Sequence, residues 1–328
     1  MKEENNILKE TVAEFCDKNL DEKKIESEGI THGITELLAS QGFLGATIPG
    51  KYSGSELDNT SYEIILEEIA KNSPSVAMKI FILNSLYYPS VKGTSAETTL
   101  SDAASGKLNV AVDFINRAND IKENAGKLSG TLINVLGSDA EKIILFNENT
   151  SIISGPFGYS DRDFMGFRGI KFGDITLDNT ATVLDSKNRK GEILEASYGP
   201  LSAIALGMIS GALQKAIDYT SVRKAFGNYL KDFEPISFRL AQFRSTESVL
   251  RSALYGEADP YYVFNLAMES IVEIARYSVN AHGGYGYFQD FGVEKFYRDA
   301  IVMKSIFYGN QELRKLAEHV YSEKINFV

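Results

Sequence analysis

A segment in the second half of the chain carries residue types that suit a phosphate-containing heterocycle. It reads Arg223-Lys224-Ala225-Phe226-Gly227 and is followed, after a short charged loop, by Glu234-Pro235-Ile236-Ser237-Phe238-Arg239-Leu240-Ala241. An arginine beside a glycine turn can offer its guanidinium fork to a phosphate, and the phenylalanine offers a ring for stacking. Taken alone, the segment is more often an exposed arginine and a core phenylalanine at a helix end.

A second segment combines adjacent glycines with aromatic residues. It runs Asn280-Ala281-His282-Gly283-Gly284-Tyr285-Gly286-Tyr287 and is followed by Val293-Glu294-Lys295-Phe296-Tyr297-Arg298-Asp299-Ala300. Glycines let a backbone approach a ligand closely, and tyrosines supply flat apolar surface beside it. Taken alone, this is also typical of a helix end followed by a loop. Because the glycines follow a helical pattern and not a strand, a dinucleotide-fold interpretation is weak.

The two segments together, in this order, resemble the acyl-CoA dehydrogenase family. The R-x-x-F-G segment with I-S-F-x-L-A, and G-G-x-G-Y with R-D-A, are both specific signatures of that family. The resemblance extends more weakly through the N-terminal part, where residues 42–49, 52–55 and 62–70 follow the family's G-x-x-G, P-x-x-y-G-G and E-E-x-a patterns. It therefore covers most of the chain.

The resemblance implies FAD at the junction of three domains and oxidation of an acyl-CoA thioester between its α and β carbons. It places Arg223 at the FAD pyrophosphate of a neighbouring subunit and Phe226 near the adenosine half. FAD shared in this way implies a homodimer or homotetramer, or a heteromer with an active homologue. The positions that the resemblance assigns to FAD contacts are Arg223, Phe226, Glu234, Asn280, Gly283, Gly284, Gly286, Asn310 and Glu312.

A tyrosine occupies the family's catalytic position. Residues 306–313 resemble the family's Y-E-G-T-x-x-I and put Tyr308 where a glutamate abstracts the α-proton. A phenol with its ordinary pKa near 10 stays protonated at pH 7 and is a poor general base. Some relatives carry the base at the start of the C-terminal bundle, and the equivalent position here is Ser197. Glu195 lies two residues earlier, so on a helix its side chain points about 200° away from that of Ser197. Tyr198 stands where relatives often carry an arginine. Because neither Tyr308 nor Ser197 is a carboxylate, we expect little or no activity on ordinary saturated acyl-CoAs.

The middle of the chain departs from the family as well. Between Val110 and Leu136 there is no counterpart of the T-E-P-x-x-G-S-D loop and W-I-T strand that close over the flavin ring, and the chain has no tryptophan. The nearest match to W-I-T is Asn134-Val135-Leu136, and the loop at 114–123 is short. Glu234 and Glu312 replace the usual glutamines, and anionic side chains near a pyrophosphate would weaken its binding. Contacts to FAD from the C-terminal side can persist while the ring cradle is altered.

Hydrophobic periodicity predicts the elements that position these residues. Apolar spacing is helical from Ile7 to about Ser105, with turn residues that divide it into about five short helices. Short apolar stretches from Gly106 to about Gly191 predict strands. Helical spacing then returns, with long helices that begin near Leu194, Ile236, Tyr261 and Val293. The order predicts an α+β, mainly α fold with an N-terminal helical domain (1–105), a middle β-domain (106–191) and a C-terminal four-helix bundle (192–328).

Composition excludes several classes of function. The 328 residues are 44% hydrophobic with a net charge of -10 and no basic stripe, which argues against nucleic acid or an anionic membrane as partner. The single Cys16 cannot form an internal disulfide, and three scattered histidines make a poor metal set. The N-terminus lacks an apolar signal region, and the apolar run from Leu201 to Leu213 is too short to span a bilayer. We expect a cytoplasmic protein that is an oligomer through its C-terminal bundle, because this run is too apolar for a solvated helix and the family shares FAD between subunits.

Three hypotheses remain open from the sequence. The chain is an FAD enzyme of this family with a changed base or reaction, or a non-catalytic subunit that completes the FAD site of an active homologue, or a flavin-free relic that binds acyl-CoA or serves a structural role. The colour of the purified protein discriminates among them.

Overall fold

The computed structural model describes residues 3–114, 121–146 and 150–325, and the side chains among them except at 180–187. The helices of the first part lie between residues 3 and 104, the strands between 110 and 187, and the remaining helices between 190 and 321. The predicted α+β, mainly α fold class is therefore confirmed. The helical spacing of apolar residues at both ends of the chain, and the short alternating stretches between them, explain this order.

The N-terminal part contains seven α-helices, more than the five expected. A π-helical turn at Ile82–Tyr87 separates α5 from α6, and the short α7 precedes the first strand, so turn residues alone undercounted the elements. Side-chain caps set several helix starts: Asp58 accepts from the Ser61 amide at the start of α4. The helices are α1 Glu3–Asn19, α2 Glu22–Glu28, α3 His32–Ser40, α4 Asn59–Ala70, α5 Pro74–Phe81, α6 Tyr88–Val91 and α7 Leu100–Ala104.

The middle part is a seven-stranded sheet in the order β2-β3-β1-β4-β5-β7-β6. All pairings are antiparallel except β1 with β4. Because β7 pairs with both β5 and β3, strands β3, β1, β4, β5 and β7 close on themselves. The strands are β1 Val110–Asp113, β2 Lys122–Asn124, β3 Lys127–Leu136, β4 Lys142–Phe146, β5 Thr150–Ser154, β6 Gly158–Asp161 and β7 Phe172–Lys187.

Alternation along β4 divides its side chains between two cores. Ile143 and Leu145 pack in the small core inside the sheet, whereas Ile144 and Phe146 pack in the large core shared with the helices. This period of two residues is the pattern of a strand with apolar contacts on both faces. The sheet is thereby fixed against the helical parts.

The C-terminal part is built around a long buried helix, α9. Helices α10, α11 and α12 begin within two residues of the predicted starts, and the short α8 precedes α9. A two-stranded hairpin, β8 with β9, follows α9. The elements are α8 Lys190–Ala196, α9 Tyr198–Val222, β8 Lys224–Ala225, β9 Asn228–Tyr229, α10 Glu234–Leu254, α11 Pro260–Ala281, α12 Glu294–Phe307 and α13 Asn310–Tyr321.

Glycines let α9 pack directly against α4. A Cβ on Gly207 would lie 2.3 Å from the Glu67 carbonyl oxygen, and one on Gly211 would lie 2.5 Å from the Lys71 carbonyl oxygen. By length and composition α9 could span a bilayer, but 78% of its most apolar window is buried inside the chain. The reasoning that Leu201–Leu213 needs another subunit to cover it is therefore wrong, because helices of the same chain cover it.

A buried ionic network joins α4 to α10. The Arg251 guanidinium donates to Glu67 Oε1 from Nε at 3.0 Å and from an amino nitrogen at 2.8 Å. The same guanidinium reaches Glu247 Oε1 at 2.8 Å, and the Tyr255 hydroxyl donates to Glu67 Oε2 at 2.7 Å. The network fixes the N-terminal helices to the C-terminal helices and satisfies both carboxylates.

Candidate functional site

A surface pocket of about 450 Å³ lies where the end of α9 meets the loop after α11. The structure brings four of the predicted FAD-contact residues to its lining, namely Arg223, Asn280, Gly283 and Gly284. Arg223 is exposed, and its guanidinium carbon lies 5.5 Å from the centroid of the Tyr285 ring. The pocket therefore presents a cation, a flat ring and free backbone side by side, which suits a phosphate attached to a heterocycle.

The three glycines of this loop differ in whether the packing of the chain requires a residue without a side chain. A Cβ on Gly283 or Gly284 would meet no atom of the chain within 4 Å, and Gly283 has a φ of +59°. A Cβ on Gly286 would lie 2.3 Å from the Val279 carbonyl oxygen. The packing of this chain requires Gly286 to be small, whereas Gly283 and Gly284 leave open space for something outside the chain.

Sequence reasoning missed His282, which forms one wall of the same pocket. Its ring stacks on Tyr219 with the centroids 4.4 Å apart, and its Nδ1 lies 2.7 Å from the Ser278 carbonyl oxygen. Burial lowers the pKa of His282, and the nearby Lys215 adds to this effect. The neutral imidazole of His282 packs on Tyr219 and carries no charge. The positive charge for a phosphate therefore comes from Arg223. The signal in the sequence was the histidine directly before two glycines.

Phe226 and Glu234 do not line this pocket. Phe226 lies at the turn of the β8–β9 hairpin with a φ of +52° and is 97% exposed. Glu234 is the first residue of α10 and is also exposed. Both side chains point out of the chain, where only another molecule can contact them.

Tyr308 directly follows α12 and is only 6% exposed. Its ring packs edge to face on Phe264 with the centroids 5.9 Å apart. Burial raises the pKa of the Tyr308 hydroxyl above its usual value, and the carboxylate of Glu269 raises it further. The phenol therefore holds its proton more tightly than a free tyrosine does, the opposite of what a general base needs.

The second base position of the family is also inert. Ser197 is fully buried and donates its hydroxyl proton to the Ile193 carbonyl oxygen at 2.7 Å. Glu195 is exposed, as its position on the helix predicted, and lines a separate cavity of about 710 Å³ together with Tyr198 and Lys315. Neither side chain supplies a buried carboxylate.

Glu312 lies near the base position and not at the Arg223 pocket. Its Oε2 accepts the Tyr198 hydroxyl at 3.1 Å, and its Oε1 pairs with Lys315 at 2.7 Å. The Tyr198 ring packs on Tyr261 and on Phe264, each with a centroid distance of 4.8 Å. Asn310 is exposed in the first turn of α13. The predicted site residues therefore fall into two groups, one at each end of the C-terminal helices.

Aromatic rings occupy the space between the end of β1 and the end of α12. The Phe114 ring lies 5.8 Å from that of Phe146 and 4.9 Å from that of Phe307, which directly precedes Tyr308. Phe307 packs in turn on Phe81 at 5.9 Å. Residues 115–120 of the predicted short loop lie outside the described residues. Packed aromatic side chains therefore lie directly before Tyr308, whereas the cation and open backbone that suit a nucleotide phosphate lie at the Arg223 pocket.

Comparison with known proteins agrees with the pattern of motifs. Residues 2–99 match the family model described as acyl-CoA dehydrogenase, N-terminal domain. The chain is 23% identical to a 3-(aryl)acrylate reductase of Clostridium sporogenes, over 96% of this chain and 97% of that protein. It is 24% identical to an acyl-CoA dehydrogenase of Bacillus subtilis, over 96% of each.

A solved structure shows the same fold. A glutaryl-CoA dehydrogenase of Mycobacterium smegmatis in complex with FADH2 superposes with a TM-score of 0.86 at 15% identity, over 100% of this chain and 97% of that chain. The superposition extends over all three parts of the chain.

Proposed function

The chain belongs to the acyl-CoA dehydrogenase family, and on that premise we propose that it is an acyl-CoA dehydrogenase-like flavoprotein whose own dehydrogenation centre is lost. It contacts the nucleotide half of FAD through the pocket at Arg223, while Tyr308 occupies the base position without acting as a base. The observation that carries the proposal is the buried phenol of Tyr308. Its pKa is raised, whereas a tyrosine that acts as a general base at neutral pH needs a lowered pKa.

The Arg223 pocket supports the nucleotide contact. An exposed guanidinium can bind a pyrophosphate through two parallel hydrogen bonds, and the open backbone at Gly283 and Gly284 permits close approach. The exposed ring of Tyr285 offers a stacking surface, and the lowered pKa of the buried His282 keeps its imidazole neutral. The solved relative with FADH2 agrees with a nucleotide cofactor in this family.

Acyl-CoA is the ligand class that family membership supports. The cavity lined by Glu195, Tyr198 and Lys315 includes the Tyr198 side chain that donates to Glu312. In the family, FAD supplies hydride acceptance at the β-carbon. In this chain the hydroxyls at this position keep their protons. Tyr198 donates its proton in a hydrogen bond to Glu312, and Tyr308 remains a protonated phenol.

A second candidate is a non-catalytic subunit that completes the FAD site of an active homologue. It is favoured because the pocket that would contact a partner's nucleotide is open to the outside, whereas the side chains packed beside Tyr308 include the contacting rings of Phe114 and Phe307. In both candidates the assembly is a dimer or tetramer in the cytoplasm, with domains at 1–105, 106–191 and 192–328.

Spectroscopy and turnover of the purified chain test the proposal. We expect no dye reduction with short, medium or long saturated acyl-CoAs, whether or not FAD is supplied. A yellow homomer without turnover supports the first candidate, and a colourless protein that absorbs near 450 nm only with a homologous partner supports the second. Robust turnover by the chain alone contradicts both.

A further inference from the structure

A further pocket, apart from those at Arg223 and Tyr198, lies at the junction of the N-terminal helices with the sheet. It has a volume of about 250 Å³ and is bounded by the loop after α2, by α3, by the α5 and π-helical segment, and by the loops around β1 and β7. All of its described lining residues precede α8, so it is separate from both the Arg223 pocket and Tyr308. The volume exceeds the roughly 30 Å³ share of one water molecule several times over.

Lys79 lies inside this cavity without a direct counter-ion. Its ammonium donates to Asn109 Oδ1 at 3.0 Å, and the Asn109 amide is held by Glu141 Oε2 at 2.9 Å. Among the described side chains, which exclude those at 180–187, no carboxylate oxygen lies within 4.0 Å of the ammonium. Burial lowers the pKa of Lys79, and the attraction of Asp139 and Glu141 only partly offsets it. A half-buried cation without a counter-ion is unfavourable, and an anion bound beside it reduces that penalty.

Apolar side chains line the cavity on the helical face that carries Lys79. Ile82 and Leu83 come from the π-helical turn, and Leu108 and Ile170 add further aliphatic surface. Single π-helical turns inserted in α-helices are frequent at functional sites. The wall therefore suits a ligand with a short hydrocarbon body.

The charged groups at the mouth carry both signs and are exposed. Asp139 and Glu28 contribute negative charge, and Lys171, which pairs with Asp161 at 3.2 Å, contributes positive charge. His32 at the rim pairs with Glu36. Solvent screens these groups, so Lys79 is the charge that a ligand meets inside.

We propose that this cavity is a binding site for a small carboxylate with a short apolar body. The carboxylate pairs with the Lys79 ammonium and the hydrocarbon body packs on Ile82 and Leu83. Inorganic phosphate has the negative charge of such a carboxylate but not its apolar body. A cavity that holds only water would bind neither anion.

Calorimetric titration of the full chain distinguishes these occupants. The probes are pentanoate, the uncharged pentan-1-ol of equal length, and inorganic phosphate. We expect saturable binding of pentanoate, with pentan-1-ol and phosphate at least about tenfold weaker, because each lacks one of the two interactions. Equal binding of phosphate, or no saturable binding of pentanoate, overturns the proposal.

Two lysine variants locate the site. Lys79→Met should abolish pentanoate binding and raise Tm of the ligand-free protein, because it removes a half-buried charge that has no counter-ion. Lys107→Met, at an exposed position nearby, should change neither. A lower Tm for Lys79→Met with binding intact would show that Lys79 is only structural. If that variant does not fold, the comparison of the three probes on the unaltered chain decides.

Discussion

The Tyr198 hydroxyl donates to the Glu312 carboxylate at 3.1 Å across 114 residues of chain. Tyr198 stands where relatives often carry an arginine, and Glu312 stands where they usually carry a glutamine. Burial raises the pKa of Tyr198, and Glu312 raises it further. The two departures form one hydrogen bond in which a neutral phenol satisfies the new anion, so the region beside the base position holds protons and does not abstract them.

Gly284→Ala and Gly286→Ala separate ligand binding from folding. We expect Gly284→Ala to leave Tm unchanged, because its Cβ would meet no atom of the chain, and to weaken FAD or ADP binding. Gly286→Ala should destabilise the chain by about 2 kcal/mol or more, because its Cβ would lie 2.3 Å from a carbonyl oxygen. Thermal melts and nucleotide titration check both. Unaltered nucleotide affinity in Gly284→Ala would exclude this loop from the site.

Arg251→Met tests the network between α4 and α10. It leaves the buried carboxylates of Glu67 and Glu247 without their shared guanidinium. We expect a loss of about 3–5 kcal/mol in the free energy of unfolding, measured by urea denaturation. Lys18→Met removes the exposed pair with Glu14 and should cost less than about 1 kcal/mol. Similar losses in the two variants would contradict the assignment of the network as the connection between these helices.

Much of this fold follows from local patterns. The switch from helical to strand spacing and back placed the helices α10, α11 and α12 within two residues of their starts. The closure of the sheet by β3 with β7 was not predictable, because it depends on pairs such as Leu132 with Ile175 that no local spacing encodes. The apolarity of Leu201–Leu213 was one reason to expect an oligomer, but Gly207 and Gly211 let α4 of the same chain cover this run.

The candidate site was predictable only in part, for a similar reason. Sequence motifs located Arg223, Asn280 and the glycine loop. These residues line one pocket, at the end of α9 and in the loop after α11. The identity of Tyr308 indicated a poor base, but its burial and the direction of its pKa depend on Phe264 and Glu269, which lie far away in sequence. Nothing in the sequence indicated a role for Lys79, because its cavity forms only where five separate segments of the chain meet.

Asp299 should make stability depend on pH. It is fully buried beside Glu26 and Glu22, and burial raises its pKa to about 7. The folded chain keeps a proton that the unfolded chain releases near its ordinary value of 3.8, so the stability from Asp299 is complete below that value and is lost as pH rises through about 7.

Asp299→Asn removes this dependence and keeps an oxygen to accept the Phe167 amide, now bonded at 2.5 Å. Relative to the unaltered chain, we expect the variant to be near neutral at pH 4 and stabilised by about 1–3 kcal/mol at pH 8. Urea titrations across this range measure the difference. A difference that does not vary with pH would show that Asp299 has an ordinary pKa.

Phe226→Ser tests whether the hairpin tip contacts another subunit. The side chain is 97% exposed, so its loss should not change the stability of the chain. If the residue is buried in an assembly, its loss should weaken association about tenfold or more, since a buried phenylalanine contributes about 1.5–3 kcal/mol. Light scattering over a dilution series measures this, with Ile7→Ser, 59% exposed on α1, as the control. A monomeric unaltered chain at micromolar concentration would contradict the interface.

Tyr308→Glu tests whether loss of the base alone explains the absence of activity. General base catalysis typically contributes 10² to 10⁴-fold, so restoring a carboxylate should raise dye reduction by that order if the rest of the centre is intact. We expect no gain, because Phe114 and Phe307 occupy the space beside this position. Each protein is supplied with FAD and assayed with short, medium and long acyl-CoAs, with Tyr308→Phe as the control for loss of the hydroxyl. A gain confined to the glutamate variant would show that the flavin-ring site is open and only the base is missing. Robust turnover by the unaltered chain would instead show that a carboxylate elsewhere reaches the α-carbon.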